Sequence, residues 1–131
     1  MKHASTKEIQ AFLIQCRQII RSKDILTTSF VLVHSAKNKK TMLTLGFTEK
    51  QVVEEIETLS LTNFADGPRK DKDLPGMVWI FGKWIKEREV YIKLKITPFD
   101  DPGNKVATLT CLSFHISEQP LDYPYKTKEE A

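Results

Sequence analysis

Cysteine is scarce in this chain. Only Cys16 and Cys111 occur among 131 residues, far apart and outside any C-x-x-C pair. That spacing suggests neither a disulfide framework nor a cysteine zinc site, and a reducing compartment, the cytoplasm, fits best. A long hydrophobic run is also missing. The N-terminal stretch carries an apolar element, but Glu8 and Arg17 interrupt it and no small-residue cleavage site follows, so neither an export signal nor a membrane anchor is read. None of the strong catalytic fingerprints occurs: no P-loop, no G-x-G-x-x-G after a strand, no H-E-x-x-H, no G-x-S-x-G. His3, His34 and His115 fall on separate elements without clustered Asp or Cys, and no metal or cofactor is expected. Charge of one sign is not in large excess either. Twenty Lys and Arg against seventeen Asp and Glu leave a net charge of +3, too mild to identify a nucleic-acid binder by itself.

What is present suffices for one domain over residues 1–131, with a tail over 118–131 that hugs the surface and then frays. Ser5-Thr6-Lys7-Glu8 has capping-box spacing, and Ile9, Phe12, Leu13, Cys16, Ile19 and Ile20 recur behind it at helical period, which predicts a helix over roughly 6–22. TTSFVLVH (27–34) reads as a strand, with a buried helical piece over Phe30 to Val33 as the alternative. The polar AKNKK leads into a short helix around Met42, Leu43 and Leu45 that Gly46 ends, and Thr48-Glu49-Lys50-Gln51 opens another carrying Val52, Val53, Ile56 and Leu59. Residues 63–76, rich in Gly, Pro and charge, read as a loop long enough to be functional. MVWIFGKWI (77–85), EVYIKLKIT (89–97) and VATLTCLSFH (106–115) follow as strands. Lys86-Glu87-Arg88 joins the first pair and the turn-rich PFDDPGNK the second. The expected class is α+β: N-terminal helices packed on a small antiparallel sheet with a C-terminal three-stranded meander.

In EVYIKLKIT, Val90, Ile92, Leu94 and Ile96 alternate with Tyr91, Lys93 and Lys95, so one face is core and the other polar. The meander concentrates one kind of equipment there. Lys83 and Lys93 offer positive charge, Tyr91 a phenol, and His115 an imidazole, the side-chain type that titrates near neutrality. Trp79, Phe81 and Trp84 offer stacking faces. A metal-free RNA-cleaving site needs such parts: a base for the 2′-hydroxyl, an acid for the 5′-oxygen and cations for the phosphorane charge. The bland reading is that outer-face lysines solvate and protect a sheet and that tryptophans cover it; Lys95 stays with that reading. If Thr108, Thr110, Leu112 and Phe114 share the core face, His115 and Ser113 lie on the face of Tyr91 and Lys93.

Several segments together resemble a family. Leu45-Gly46-Phe47, Leu59-Ser60-Leu61-Thr62-Asn63-Phe64, Val90-Tyr91-Ile92-Lys93-Leu94 and Ser113-Phe114-His115 occur in an order and spacing similar to the MqsR-type toxins of bacterial type II toxin–antitoxin modules, over roughly residues 36–116. The resemblance implies a RelE-like α+β fold and a cytoplasmic, metal-independent mRNA endoribonuclease. Its implied partners are mRNA and a cognate antitoxin protein, for which a neighbouring reading frame with C-x-x-C pairs and a helix-turn-helix segment would be the sign. Carried over by position, Tyr91 matches the family's strand tyrosine, and His115 stands where the family has a lysine. Ala65 and Asp66 follow Phe64 where a lysine is implied, and Ile80 stands where a glutamine is implied. Lys83, Arg69 or Lys70 could supply the lost charge, the last two as substrate-binding residues with Trp79. The alternative is a non-catalytic module that binds RNA or an antitoxin through the same basic face.

Overall fold

The computed structural model describes residues 4–24, 28–98 and 107–126; His3, Thr27, the turn-rich connection from 99 on, Val106 and the tail beyond 126 lie outside the described residues. The first capping box closes as the spacing predicts. Glu8 N–H donates to Ser5 Oγ at 3.1 Å and Ser5 N–H to Glu8 Oε1 at 2.8 Å. Helix α1, Thr6–Arg21, then buries Ile9, Phe12, Leu13 and Cys16. Strand β1 is Thr28–Leu32. Helix α2 spans Ala36–Leu45, with Ser35 as its N-cap and Gly46 at φ 70° ending it. It therefore begins inside AKNKK, well before the expected start, and the reason is chemical: its inward face carries the buried polar residues Asn38 and Thr41, which a search for apolar periodicity passes over. Thr48 and Gln51 form the second capping box, and α3, Glu49–Glu57, buries Val52 and Ile56.

Four further strands follow: β2 (Phe64–Lys70), β3 (Met77–Ile85), β4 (Arg88–Thr97) and β5 (Ala107–Ile116). They form a five-stranded sheet with β1 in the order β1-β5-β4-β3-β2. The three helices and five strands among the described residues make an α+β fold. The expected meander is β3-β4-β5. Its first hairpin turns through Lys86 and Glu87 at φ 50° and 67°, the positive-φ pair that a two-residue hairpin turn requires.

Two expectations are corrected. The sheet is mixed rather than antiparallel, because β1 lies parallel to β5, Thr28 opposite Ala107 through Leu32 opposite Cys111. Residues 63–76 are not one loop, because half of them form β2. Gly67 and Pro68 disguise it, yet β2 is the sheet's edge strand, where proline is tolerated, and its register shifts on either side of Asp66 absorb them.

Both helices with apolar stripes pack on one face of the sheet, where Phe64, Phe81, Val90, Ile92, Leu94, Leu109, Cys111 and Phe114 join α1 and α3 in a single core. Cys16 and Cys111 are unpaired there, and desolvation pushes both thiols up to about 12, which leaves them unreactive. No helix among the described residues is long and apolar enough to cross a membrane.

Helix α2 lies instead against the outer edge of β5. β1 ends its pairing at Cys111, after which β5 has no strand on that side among the described residues. Asn38 and Thr41 occupy the gap. Asn38 Nδ2 donates to the Val33 and Leu112 carbonyls at 2.8 and 3.2 Å, its Oδ1 accepts from Phe114 N–H at 2.9 Å, and Thr41 Oγ accepts from Ile116 N–H at 3.0 Å.

The short β2–β3 turn is fixed by a second buried polar contact. Lys95 is only 7% exposed and donates to Asp71 Oδ2 at 2.8 Å, so the solvated reading of Lys95 is overturned. Asp71 Oδ1 also accepts from the Asp73 and Leu74 N–H groups. Gly76, at φ +110°, leaves room for the lysine stem that a Cβ would meet. The Lys95 hydrogen bond, then the backbone N–H of Asp73, hold the Asp71 carboxyl at about 2, below its ordinary 3.8.

Two outcomes are expected. Asn38→Ala leaves the Phe114 N–H and two carbonyls without partners and should lower stability by about 2–4 kcal/mol. Asn38→Asp should be no better, since it turns a carboxylate toward two carbonyl oxygens; urea denaturation of the three proteins measures this. For Asp71, a carboxyl lowered on folding contributes stability above its unfolded value that is lost as pH falls. The difference in unfolding midpoint between wild type and Asp71→Asn should therefore be full at pH 5 and shrink from about pH 4 toward pH 2; a difference that stays constant would refute the role of the charge.

Candidate functional site

The polar face of β4 lies on the side of the sheet away from α1 and α3. In the ladder Tyr91 stands opposite His115 and Lys93 opposite Ser113, and residues directly opposite in a sheet project to the same side. Tyr91 and His115 are therefore brought together. Their rings stack at 5.3 Å between centroids and 16° between planes. The expected parity for the rest of β5 does not hold. Leu109, Cys111 and Phe114 face the core, while Thr110 stands opposite Lys95. A register shift between the Lys93 and Leu94 pairs makes Leu112 an extra residue and resets the alternation.

His115 Nδ1 lies 3.1 Å from the Ile116 carbonyl oxygen. A carbonyl only accepts, so in the neutral ring this contact places the hydrogen on Nδ1 and leaves Nε2 as the basic nitrogen. Burial pushes the Tyr91 phenol above its ordinary value of 10.0, with Arg69 acting to lower it and Asp66 to raise it. Tyr91 is thus a proton donor at neutral pH.

These side chains line an open groove of about 750 Å³ together with Lys93, Ser113, Lys72, the start of α2 and the 117–121 segment. Lys37 on its rim is paired with Glu118 at 3.1 Å. Lys93 and Lys72 have no ion-pair partner among the described residues.

The other sequence candidates separate by face. Arg69 pairs with Val78 in the ladder and shares the side of Tyr91, but its charge is offset by Asp66, 2.8 Å away. Lys70 stands opposite Met77 and so points to the helix side, as do Trp79 and Lys83. Trp79 is a core residue stacked on Phe12 at 4.6 Å, not a platform for bases. Lys83 is paired with Glu55 of α3 at 2.8 Å and cannot offset charge beside Tyr91. Lys72 was missed by motif reasoning. The run Arg69-Lys70-Asp71-Lys72 is basic, but only the β2–β3 turn shows that Lys72, rather than Arg69 or Lys70, carries an uncompensated charge to the groove. Among the described residues no cluster of three or more His, Cys, Asp or Glu could hold a metal ion.

The groove's far wall is the tail. Leu121 N–H and the Tyr123 hydroxyl both donate to the Glu89 carboxylate, at 3.3 and 2.5 Å. They lie over Gly82, where a Cβ would collide with the Tyr123 hydroxyl and a Leu121 methyl. Desolvation and then the Glu89 hydrogen bond push the Tyr123 phenol upward. Gly82→Ala should displace this strap while the core persists: limited proteolysis should cut after 117 faster in the variant, with the unfolding transition still cooperative. Equal protection of the tail in both proteins would contradict the packing role of Gly82.

No protein-family model, no curated protein and no solved structure matches this chain.

Proposed function

We propose that this chain is a metal-independent endoribonuclease that cuts single-stranded mRNA by 2′-hydroxyl transesterification, acting in the cytoplasm as the toxin of a toxin–antitoxin pair. The observation that carries the catalytic part is the stacked Tyr91–His115 pair beside the unpaired Lys93 in an open groove. The toxin part, the RelE-like identity of the fold and the antitoxin partner rest on the ordered segments from Leu45-Gly46-Phe47 to Ser113-Phe114-His115.

In this mechanism His115 Nε2 takes the proton of the 2′-hydroxyl as its oxygen attacks phosphorus. The bond from phosphorus to the 5′-oxygen breaks. The departing oxygen receives a proton from the Tyr91 phenol; the phenol then regains one from water in the open groove and the His115 imidazolium returns its own to water. A 2′,3′-cyclic phosphate and a 5′-hydroxyl end result, and no proton is gained or lost. Lys93, two residues from Tyr91 on the same face, offsets the charge that builds on the phosphorane. Lys83 has no part in it.

A second reading is favoured by one observation: the Asp66 carboxylate and its partner Arg69 lie on the same face, which neutralises a cation where the family resemblance implies a free lysine. The groove would then bind RNA or an acidic protein without cutting. Incubation with single-stranded RNA and analysis of the ends separates the two. Cyclic-phosphate ends are expected from wild type, with a rate reduced about 100-fold or more in His115→Ala and clearly reduced in Tyr91→Phe. Induced expression in a bacterium should arrest growth for wild type alone. Intact RNA, or arrest undiminished in both variants, would reject the enzyme assignment.

A further inference from the structure

The groove holds a second uncompensated cation that the mechanism does not use. Most of the basic residues on or near it are already paired: Lys37 with Glu118, Arg69 with Asp66, and Lys95 with Asp71. Lys93 and Lys72 line the groove without such partners. They come from different elements. Lys93 is rooted in the ladder opposite Ser113, two residues from Tyr91. Lys72 arrives from the β2–β3 turn.

That turn is not a loose lid. Asp71 fixes it from four sides: its N–H donates to the Gly76 carbonyl at 3.0 Å, its Oδ1 accepts from Asp73 and Leu74, and its Oδ2 holds Lys95. The Asp71 and Lys95 side chains are 11% and 9% exposed. A nearly buried ion pair this close to a turn holds the next residue, exposed Lys72, at a set place on the groove wall.

We infer that Lys72 is a second phosphate-binding residue, so that the groove takes a single strand of RNA extending at least one nucleotide beyond the phosphate at Tyr91 and His115, with the Lys95–Asp71 pair as its positioning device. This rests on the reading of the groove as an RNA site. Lys93 serves the reacting phosphate and Lys72 a neighbouring one. A substrate with a single phosphate then makes no use of Lys72, whereas an oligonucleotide does.

The test measures binding of a short fluorescein-labelled single-stranded RNA by anisotropy over a range of salt, with cleavage of the same RNA and of a dinucleoside monophosphate in parallel. Removing one phosphate contact should reduce the slope of log affinity against log salt by about 0.7. Lys72→Ala should show that reduction, roughly threefold weaker binding at low salt, and an unchanged rate on the dinucleoside monophosphate. Asp71→Asn should weaken oligonucleotide binding in the same direction by releasing the turn. Lys50→Ala, which removes an equal charge from exposed α3, should leave the slope alone. An unaltered slope in Lys72→Ala, or an equal loss in Lys50→Ala, overturns the assignment. If wild type binds without cleaving, the ribonuclease reading fails while the slope still decides Lys72; if wild type binds no RNA, both fall.

Discussion

Past Cys111 no strand among the described residues lies beside the outer edge of β5, and side chains of a helix do the work of one. Asn38 accepts from Phe114 N–H and donates to the Leu112 and Val33 carbonyls, and Thr41 accepts from Ile116 N–H. Each is a backbone group that burial would otherwise leave at a cost of about 1–3 kcal/mol. Much follows from this one contact. It seats α2 along the sheet, carries the start of α2 to the groove, and holds the last turnless stretch of β5, from Phe114 to Ile116, straight enough for His115 to stay opposite Tyr91. A half-satisfied network of this kind would be worse than an apolar edge, and the Asn38 side chain leaves no buried polar atom unpartnered.

The sheet divides the molecule's chemistry by face. One side is continuous apolar surface under α1 and α3. The other carries the polar residues of the groove beside buried Val78 and Ile80, and three of the five cations on or near it are balanced by carboxylates within 4 Å: Lys37 by Glu118, Arg69 by Asp66 and Lys95 by Asp71. Lys83 shows why register decides what sequence parity cannot. Lys83 and Tyr91 are both odd-numbered residues of neighbouring strands, yet Tyr91 stands opposite Gly82, so Lys83 falls on the far side. A pairing shifted by one residue would have placed it in the groove.

Legibility followed physical kind. The capping boxes at Ser5 and Thr48 and the alternation of Val90, Ile92 and Leu94 were readable because each is a local pattern with a short-range cause. Helix α2 is legible only in its last turn because its buried face carries Asn38 and Thr41. Strand β2 reads as loop in the sequence because Gly67 and Pro68 are turn residues by composition, and only membership of an edge makes them acceptable in a strand. The parallel placement of β1 has no local signature at all. Within the site, Tyr91, Lys93 and His115 were legible as a face, whereas Trp79 and Lys83 were not distinguishable from site residues until Phe12 and Glu55 were seen to claim them. Lys95 and Lys93 look alike in the sequence. What separates them is a turn that reaches back to cover one and not the other.

The meeting of Tyr91 and His115 depends on an irregularity rather than on the regular ladder. Cys111 and Phe114 both face the core although they lie three residues apart, which strict alternation forbids. Leu112 is the extra residue that permits it. Without that bulge, keeping Leu109 and Cys111 in the core would turn Ser113 and His115 inward as well, and an imidazole would take the place of Phe114 in the core. With it, β5 buries Phe114 and returns Ser113 and His115 to the polar side. Asn38 bonds across this very interval, from Leu112 to Phe114, so the contact that replaces the missing strand also fixes the kink that puts the imidazole beside the phenol. Bulges are over-represented where a sheet must re-aim a side chain. Here the re-aimed residue is the one on which the proposed chemistry turns.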